Sequence, residues 1–231
     1  MKRLCFTCGF FLWGASMLYS QTVDNYNSYT INAFDVNGKA LTSKNRDIAG
    51  SPMLNADWGK GIVKFKNGYS LSEVELQFNL VENELYFKKN NITYAFVDPI
   101  KEFVITCTEE NASHTSLLRC GYPLSGENTN LTFYEVVKDG NMVQLLKKTV
   151  KLVQTTNNYG QGTQKEYRQI IQWYVYDVKN DRVEPIKKDK NSLKLALPSF
   201  ASQIDHFAGE KKYKFRNEEE IVEFISSLNS Q

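Results

Sequence analysis

The chain has 231 residues, with 28 Lys and Arg against 26 Asp and Glu, and a formal charge of +2. This length can bury a full hydrophobic core in one or two domains. With 42% hydrophobic and 23% charged residues, the composition excludes a disordered tail and a polytopic membrane protein. The near-zero charge argues against a dedicated nucleic-acid binder, which needs a strong positive surplus.

The first twenty residues have the three-part layout of a secretory signal. Lys2 and Arg3 give a positive start, and the run from Leu4 to Tyr19 carries no charge. This run is shorter than the roughly 20 residues that span a bilayer, and a polar stretch follows it. We therefore expect residues 1–20 to be removed as a signal peptide near Ser20, and the protein to be exported, either periplasmic or secreted.

Cys5 and Cys8 lie near the beginning of the apolar run, whereas a lipoprotein signal has its cysteine at the end. We therefore expect no lipid anchor. Lys2 and Arg3 leave with the signal, so 26 basic residues then balance 26 acidic ones over 211 residues. The mature chain has no net charge that would recruit nucleic acid or another polyanion. We expect it to have no stable membrane span.

Cys107 and Cys120 are the two cysteines that remain after signal removal. In an oxidising compartment they can form a disulfide, and closing that loop would stabilise the fold by about 3 kcal/mol. The alternative is two buried thiols that pack as small hydrophobic groups. Both alternatives stay open, because geometry decides between them and the sequence does not show it.

The mature chain begins with a turn-rich, polar lead-in over residues 21–60, with one short strand expected near residues 29–34. Strand patterns follow from residue 61. The clearest of these is a run in which apolar and polar residues alternate, which is typical of a strand with one buried face. Its apolar members are Val74, Leu76, Phe78 and Leu80.

Turn signals such as Asn67-Gly68 separate further short strands, so residues 61–190 predict an antiparallel β-meander. Residues 191–231 change to helical periodicity. Ser192 can cap a first helix, and Pro198 within its apolar pattern means that this helix kinks or begins later. Asn217 starts a second helix in the manner of a capping box.

Strands followed by helices predict an α+β fold. We expect a curved antiparallel sheet, in the form of a roll or partial barrel, followed by two C-terminal helices. The expected organisation is a signal peptide (1–20), a lead-in (21–60), a β body (61–190) and a helical segment (191–231).

Several sequence blocks are distinctive, above all YAFVDPIKEF at Tyr94–Phe103, together with Asp47–Pro52 and Thr132–Gly140. With them the chain resembles a family of exported, β-rich bacterial proteins that have a helical C-terminus. The resemblance covers most of the mature chain. It implies a signal peptide and a β-rich body, and it supplies no activity and no site residues.

Candidate catalytic groups are few. His114 and His206 lie 92 positions apart, and His114 is predicted in a polar loop. Cys107 with His114 would form a nucleophilic dyad, but the exposed, electropositive setting of a reactive thiolate is not visible. Neither histidine belongs to a metal-binding motif. We therefore predict no catalytic residue, no metal and no cofactor.

Glycosidases use paired carboxylates, and two candidate pairs are Glu73 with Glu75 and, if the strand extends to them, Glu82 with Glu84. Apolar residues neighbour both pairs, with Val74 inside the first and Val81 and Leu85 on either side of the second, which is typical of a solvated strand face. We therefore interpret them as surface residues.

These patterns favour an exported, non-enzymatic binding or interaction module of the cell envelope. Its expected partner is an envelope protein, a glycan or an apolar ligand, and the sequence does not identify the ligand-binding residues. A curved sheet closed by helices can also enclose an apolar ligand, so a carrier of lipid or of a lipoprotein chain is the first alternative. An envelope hydrolase is the second, and it requires the candidate acids or the Cys107–His114 pair to converge.

Overall fold

The computed structural model describes residues 30–31, 38–40, 48–109, 112–158 and 162–230. The predicted signal peptide and much of the predicted lead-in lie outside these residues. The helices are α1 (Lys190–Ala196), α2 (Ala201–Lys211) and α3 (Glu218–Asn229). The strands are β1 (Thr30–Ile31), β2 (Gly38–Ala40), β3 (Gly59–Phe65), β4 (Ser70–Asn79), β5 (Glu84–Lys89), β6 (Ile92–Phe96), β7 (Ile100–Glu109), β8 (Ala112–Arg119), β9 (Tyr134–Lys138), β10 (Val143–Asn158), β11 (Gly162–Asp177) and β12 (Arg182–Ile186).

These strands form one sheet in the order β12-β11-β10-β9-β8-β7-β3-β4-β5-β6-β2, and β1 pairs in parallel with β4. Every other strand pair is antiparallel. From β7 to β12, strands that follow each other in sequence lie side by side, and the same holds from β3 to β6. The sheet is therefore two meanders that meet where β3 pairs with β7, and the predicted α+β fold is confirmed.

The first meander must curl. In a flat sheet β6 would lie four strand spacings, about 19 Å, from β7. The three residues between Phe96 and Ile100 span at most about 14 Å. The sheet meets this constraint by folding β6 back over β3, so that the rings of Phe65 and Phe96 lie 5.6 Å apart. The short connection between β6 and β7 thus enforces the curvature that was predicted from the strand pattern.

The alternation predicted for β4 is confirmed, because Val74, Leu76 and Phe78 are buried. Leu71 is buried as well, which breaks the two-residue period. The break is a bulge opposite β3, where Glu73 has a positive φ of 56° and the register shifts. A bulge inserts one extra residue and so returns the apolar side chains to the interior face.

Two larger apolar clusters and one smaller one hold the fold together. The curved meander encloses a phenylalanine-rich core around Phe78, Phe87 and Phe103. The helices pack on one face of the second meander, where Leu145 and Phe224 are fully buried. The opposite face of that meander carries the smaller cluster, which is rich in tyrosine: Tyr122, Tyr134, Val136, Leu146, Tyr174 and Val183.

The predicted first helix is divided into α1 and α2 by a 3₁₀ turn that begins at Pro198. Proline lacks the N–H that a helix interior needs, so the chain restarts its helix after the turn. The cap predicted at Ser192 is wrong, because Asp189 accepts the hydrogen bond from Ser192 N at 2.8 Å. The cap predicted at Asn217 is confirmed by its bond from Glu220 N at 2.9 Å.

No helix in the described ranges combines the length and the apolar character that a membrane crossing requires.

Candidate functional site: a projecting β-ribbon

The most unusual feature of the sheet is the length of its β10–β11 hairpin. The two strands pair without interruption over sixteen positions. Their neighbours are much shorter, since β9 pairs with β10 only at Leu145–Lys147 and β12 pairs with β11 only at Trp173–Asp177. We call residues 148–158 and 162–172 the ribbon. At about 3.4 Å per residue it extends some 35 Å past its neighbours.

Apolar side chains are exposed in the ribbon, whereas apolar side chains at the base of the same two strands are buried. Leu145 and Val175 at the base are at most 1% exposed. In the ribbon, Leu152, Val153, Ile170 and Ile171 are 51%, 44%, 39% and 49% exposed. A two-stranded hairpin by itself is marginally stable in water, and grouped exposed apolar residues mark an interaction surface. The ribbon is therefore the first candidate for a binding site.

One face of the ribbon forms the floor of a groove. Val150 pairs with Ile170 on this face, and Leu152 follows on the same side. The loop 124–128 forms one wall and β12 forms the other, and the groove encloses about 740 Å³. Arg182 and Glu184 lie on its rim. The arrangement gives an apolar floor with charged and polar edges, which is the usual anatomy of a protein-binding surface.

Polar side chains close the inner end of the groove. Asn128 Nδ2 donates to the hydroxyl of Tyr174 at 3.0 Å, and that hydroxyl donates to Gln172 Oε1 at 3.2 Å. Lys148 Nζ donates to Asn128 Oδ1. Burial lowers the pKa of Lys148, and the nearby Glu127 carboxylate partly offsets this effect. The network fixes the loop 124–128 against the ribbon.

A buried hydroxyl lies in the tyrosine cluster behind this network. Among the residues that the structure describes, Tyr134 carries the buried side-chain polar atom that lacks a hydrogen-bond partner. Its ring packs edge-on against Tyr174, with centroids 5.2 Å apart. Burial raises the pKa of Tyr134, so the phenol is neutral and packs as an apolar ring.

The opposite face of the ribbon is crossed by a segment that we call the strap, residues 48–53. Ala49 N donates to Lys165 O at 2.9 Å, and Tyr167 N donates to Ala49 O at 3.1 Å. Lys151 Nζ donates to the carbonyls of Ser51 and Met53 at 2.8 and 2.7 Å. The strap therefore covers part of one face and part of the outer edge of β11.

A second cleft lies beside the ribbon base, on the helical side of the sheet. It encloses about 680 Å³ and is lined in part by Ile171 and Trp173. The ammonium groups of Lys188 and Lys147 lie 5.4 and 6.0 Å from the Trp173 ring, within cation–π distance. Each face of the ribbon thus has exposed apolar residues that border a cleft.

The candidate dyad is a cross-strand pair, since Cys107 on β7 lies opposite His114 on β8. The prediction of a polar loop at His114 is wrong, because Ala112–Arg119 is a strand. The imidazole is exposed and its Nε2 lies 3.0 Å from Ser116 Oγ. The Cys107 residue is only 2% exposed, so an external substrate does not reach its thiol.

The other candidate groups lie apart from the ribbon. Glu73 and Glu75 are exposed at the bulge of β4, and Glu75 lies 3.8 Å from Lys88 Nζ. Glu82 accepts hydrogen bonds from Asn79 and Tyr86 within the β4–β5 turn, and Glu84 is exposed at the start of β5. His206 lies on the exposed side of α2, 3.9 Å from Glu210.

The two cysteines lie at opposite ends of the β7–β8 hairpin. Cys107 pairs with His114, whereas Cys120 N donates to Lys101 O at 3.1 Å. Six positions along β7 separate these levels, about 20 Å, while a disulfide needs Cα atoms within about 7 Å. The structure therefore has two buried thiols, the second of the alternatives that the sequence left open. Burial raises the pKa of the Cys120 thiol.

Within the described residues no three His, Cys, Asp or Glu side chains come together in a way that would hold a metal ion.

The comparisons with known proteins add no relative. No family model, curated protein or solved structure matches the chain. The resemblance to exported bacterial proteins therefore stays a prediction.

Proposed function

We propose that the protein is an exported, non-enzymatic interaction module of the cell envelope and that the ribbon is its binding surface. One observation carries the proposal: Leu152, Val153, Ile170 and Ile171 of the ribbon are 39–51% exposed. They lie past the ends of β9 and β12, the strands that pair with the base. Burying this surface against a partner would contribute about 25 cal/mol for each Å² of apolar area removed from water.

The charge of the ribbon favours a protein partner over a polyanion. Two of the four basic side chains of the ribbon are already engaged, Lys148 by Asn128 and Lys151 by the strap. The other two, Lys165 and Arg168, are accompanied by Glu166 on the same strand. The rim of the groove mixes Arg182 with Glu184. A surface with an apolar floor and charges of both signs fits a polypeptide that presents apolar and polar side chains in alternation.

The two alternative functions find less support. The crevice between the curved meander and the ribbon, which is lined by Leu54, Phe78 and Phe133 among others, holds about 20 Å³. That volume is enough for one water molecule and far too small for a lipid chain. A hydrolase needs a group that reaches its substrate, and the Cys107 thiol is buried. The open groove fits a binding function better than either alternative does.

The export part of the proposal has its own test. Cells that express the chain would be separated into cytoplasmic, periplasmic and extracellular fractions, and the exported product would be sequenced from its N-terminus. Cleavage after Ser20, giving a chain that begins at Gln21, is the expected result. An intact N-terminus in the cytoplasmic fraction would contradict export.

The binding part is tested by capture of partners from native envelope material with matched variants. A double variant, Leu152→Ser with Ile170→Ser, removes the apolar floor of the groove. Leu195→Ser is the control, since Leu195 is 82% exposed on α1 and lies on a different surface. Binding partners that the wild type and Leu195→Ser retain and the double variant loses are the expected result. An identical set from all three proteins would overturn the proposal.

A further inference from the structure

Past Lys147, the outer edge of β10 has no strand beside it among the residues that the structure describes. Ala49 bonds to Lys165 and Tyr167, so odd-numbered residues of β11 turn their backbone groups away from β10. In an antiparallel pair, residues opposite each other point their N–H and C=O groups either toward each other or both away. Odd residues of β10 lie opposite odd residues of β11, so they also point outward. In the exposed part of the strand these are Val153, Thr155 and Asn157.

Among the described strands, only β11 pairs with β10 beyond Lys147, and it lies on the opposite edge of β10. The edges of the neighbouring strands have the features by which natural sheets prevent an edge strand from pairing with another chain. The strap covers β11 at Glu166, and β12 carries Pro185 between Arg182 and Ile186. Within the described ranges no segment covers the β10 edge, and residues 152–158 read LVQTTNN, without charge and without proline.

We propose that a second copy of the chain pairs with this edge, so that two ribbons join into one four-stranded antiparallel sheet. This inference rests on the proposed function, because it names the partner of the same surface. The exposed outward-pointing residues run from Val153 to Asn157 and have Thr155 at their centre. A two-fold axis at Thr155 therefore places Thr155 opposite its own copy, and Val153 opposite Asn157.

The sequence of the edge suits this pairing. Cross-strand threonine pairs are favourable, and like charges that lie directly opposite are destabilising. Self-pairing about Thr155 brings uncharged residues together: Val153 meets Asn157 and Gln154 meets Thr156. The nearest charged side chain on the strand is Lys151, whose ammonium group is held by the strap. Four strands also give the ribbon the stability that a lone hairpin lacks.

The test is a cysteine cross-link in the full chain with Cys5 and Cys8 replaced by serine. Two Thr155→Cys residues at the axis would have Cα atoms about 5.5 Å apart, within disulfide range. Mild oxidation is expected to give a covalent dimer. Gln164→Cys lies at the same level of the ribbon, on β11 opposite Thr156, and is the control that is expected to remain monomeric.

Sedimentation measurements on the wild type supply the second readout, and they should show a monomer–dimer equilibrium. Thr155→Pro removes the N–H that points outward from β10. Because Lys165, the residue opposite on β11, does not bond to this N–H, the hairpin keeps its own hydrogen bonds. This variant should weaken dimerisation by at least about tenfold. A wild type that is monomeric at every concentration, or a dimer that Thr155→Pro leaves unchanged, would overturn the inference.

The two proposals fail separately. A monomeric chain whose captured partners still depend on Leu152 and Ile170 would refute self-pairing and leave the binding surface in place. A chain that captures nothing through those residues and does not dimerise would refute both.

Discussion

The side-chain amide of Asn229 forms with the backbone of Val143 the two hydrogen bonds that a neighbouring strand would form. Val143 N donates to Asn229 Oδ1 at 3.2 Å, and Asn229 Nδ2 donates to Val143 O at 2.8 Å. Asn229 is the last residue of α3, and Val143 is the first residue of β10 and fully buried. The C-terminal helix is thereby fixed at the base of the strand that continues into the ribbon.

Asn229→Ala should lower the free energy of unfolding by about 1–3 kcal/mol, because it leaves the backbone groups of Val143 without partners. The midpoint of urea unfolding measures this effect, and Ser230→Ala on the exposed C-cap is the control. A Cβ on Gly140 would lie 2.1 Å from Asn229 Nδ2, so Gly140→Ala should also destabilise. The second change should cost less when Asn229 is already alanine, and simple additivity would contradict the contact.

The ribbon and the base of the same strands should respond differently to loss of an apolar side chain. Leu145→Ala is expected to cost about 2–5 kcal/mol, since Leu145 is fully buried. Leu152→Ser is expected to change stability by no more than about 0.5 kcal/mol in the monomeric chain. Chemical denaturation of both variants measures the difference. A large cost at Leu152 would show that the ribbon is part of the core rather than an available surface.

Acid sensitivity should depend on Glu102, which accepts hydrogen bonds from Lys64 Nζ at 2.9 Å and Arg119 Nε at 2.7 Å. Burial alone would raise the pKa of this carboxyl, but the two cations outweigh burial and bring its pKa below the ordinary 4.5. A carboxyl with a lowered pKa stabilises the fold above its unfolded-state pKa, and this contribution is lost as pH falls through the folded value.

Glu102→Gln should therefore reduce stability at pH 7 by about 1–2 kcal/mol. It should also reduce the fall in stability from pH 5 downward. Urea unfolding at pH 7, 5, 4 and 3 measures both effects, with exposed Glu84→Gln as the control. Equal pH dependence in the wild type and Glu102→Gln would contradict this assignment.

The state of the cysteines can be read by alkylation without reductant. In the folded chain Cys107 and Cys120 should react slowly with iodoacetamide, because both thiols are buried. In denaturant both should become fully alkylated, as mass spectrometry of the two peptides would show. Protection of both sites in denaturant, relieved only by reductant, would show a disulfide and would contradict the geometry of the β7–β8 hairpin.

The sequence predicted those parts of the fold that depend on local patterns, such as an apolar alternation along one strand or a helix cap. Val74, Leu76 and Phe78 alternate with polar residues and form β4 as expected, and Asn217 caps its helix because the bond is local. The strand β8 was missed, since its first residues, including His114, are exposed and show no apolar alternation. Its hydrogen bonds to β7 are what place it in the sheet.

The candidate site was missed for a related reason. The strands over residues 61–190 were predicted from their apolar patterns, and such patterns indicate burial. Whether Leu152 and Ile170 are buried depends on how far β9 and β12 extend beside them, which is a property of the neighbouring strands. The sequence signal that points to the ribbon is the uncharged, proline-free run 152–158. It gains its meaning only once β9 is seen to end its pairing with β10 at Lys147.

The most direct test of the ribbon as an association surface is amide hydrogen exchange along β10 at low and high protein concentration. The even residues Gln154 and Thr156 turn their amides toward β11 and should be protected to a similar extent at both concentrations. Val153, Thr155 and Asn157 should exchange fast in dilute solution and become protected in concentrated solution. Unprotected exchange of these three amides at every concentration would contradict the account.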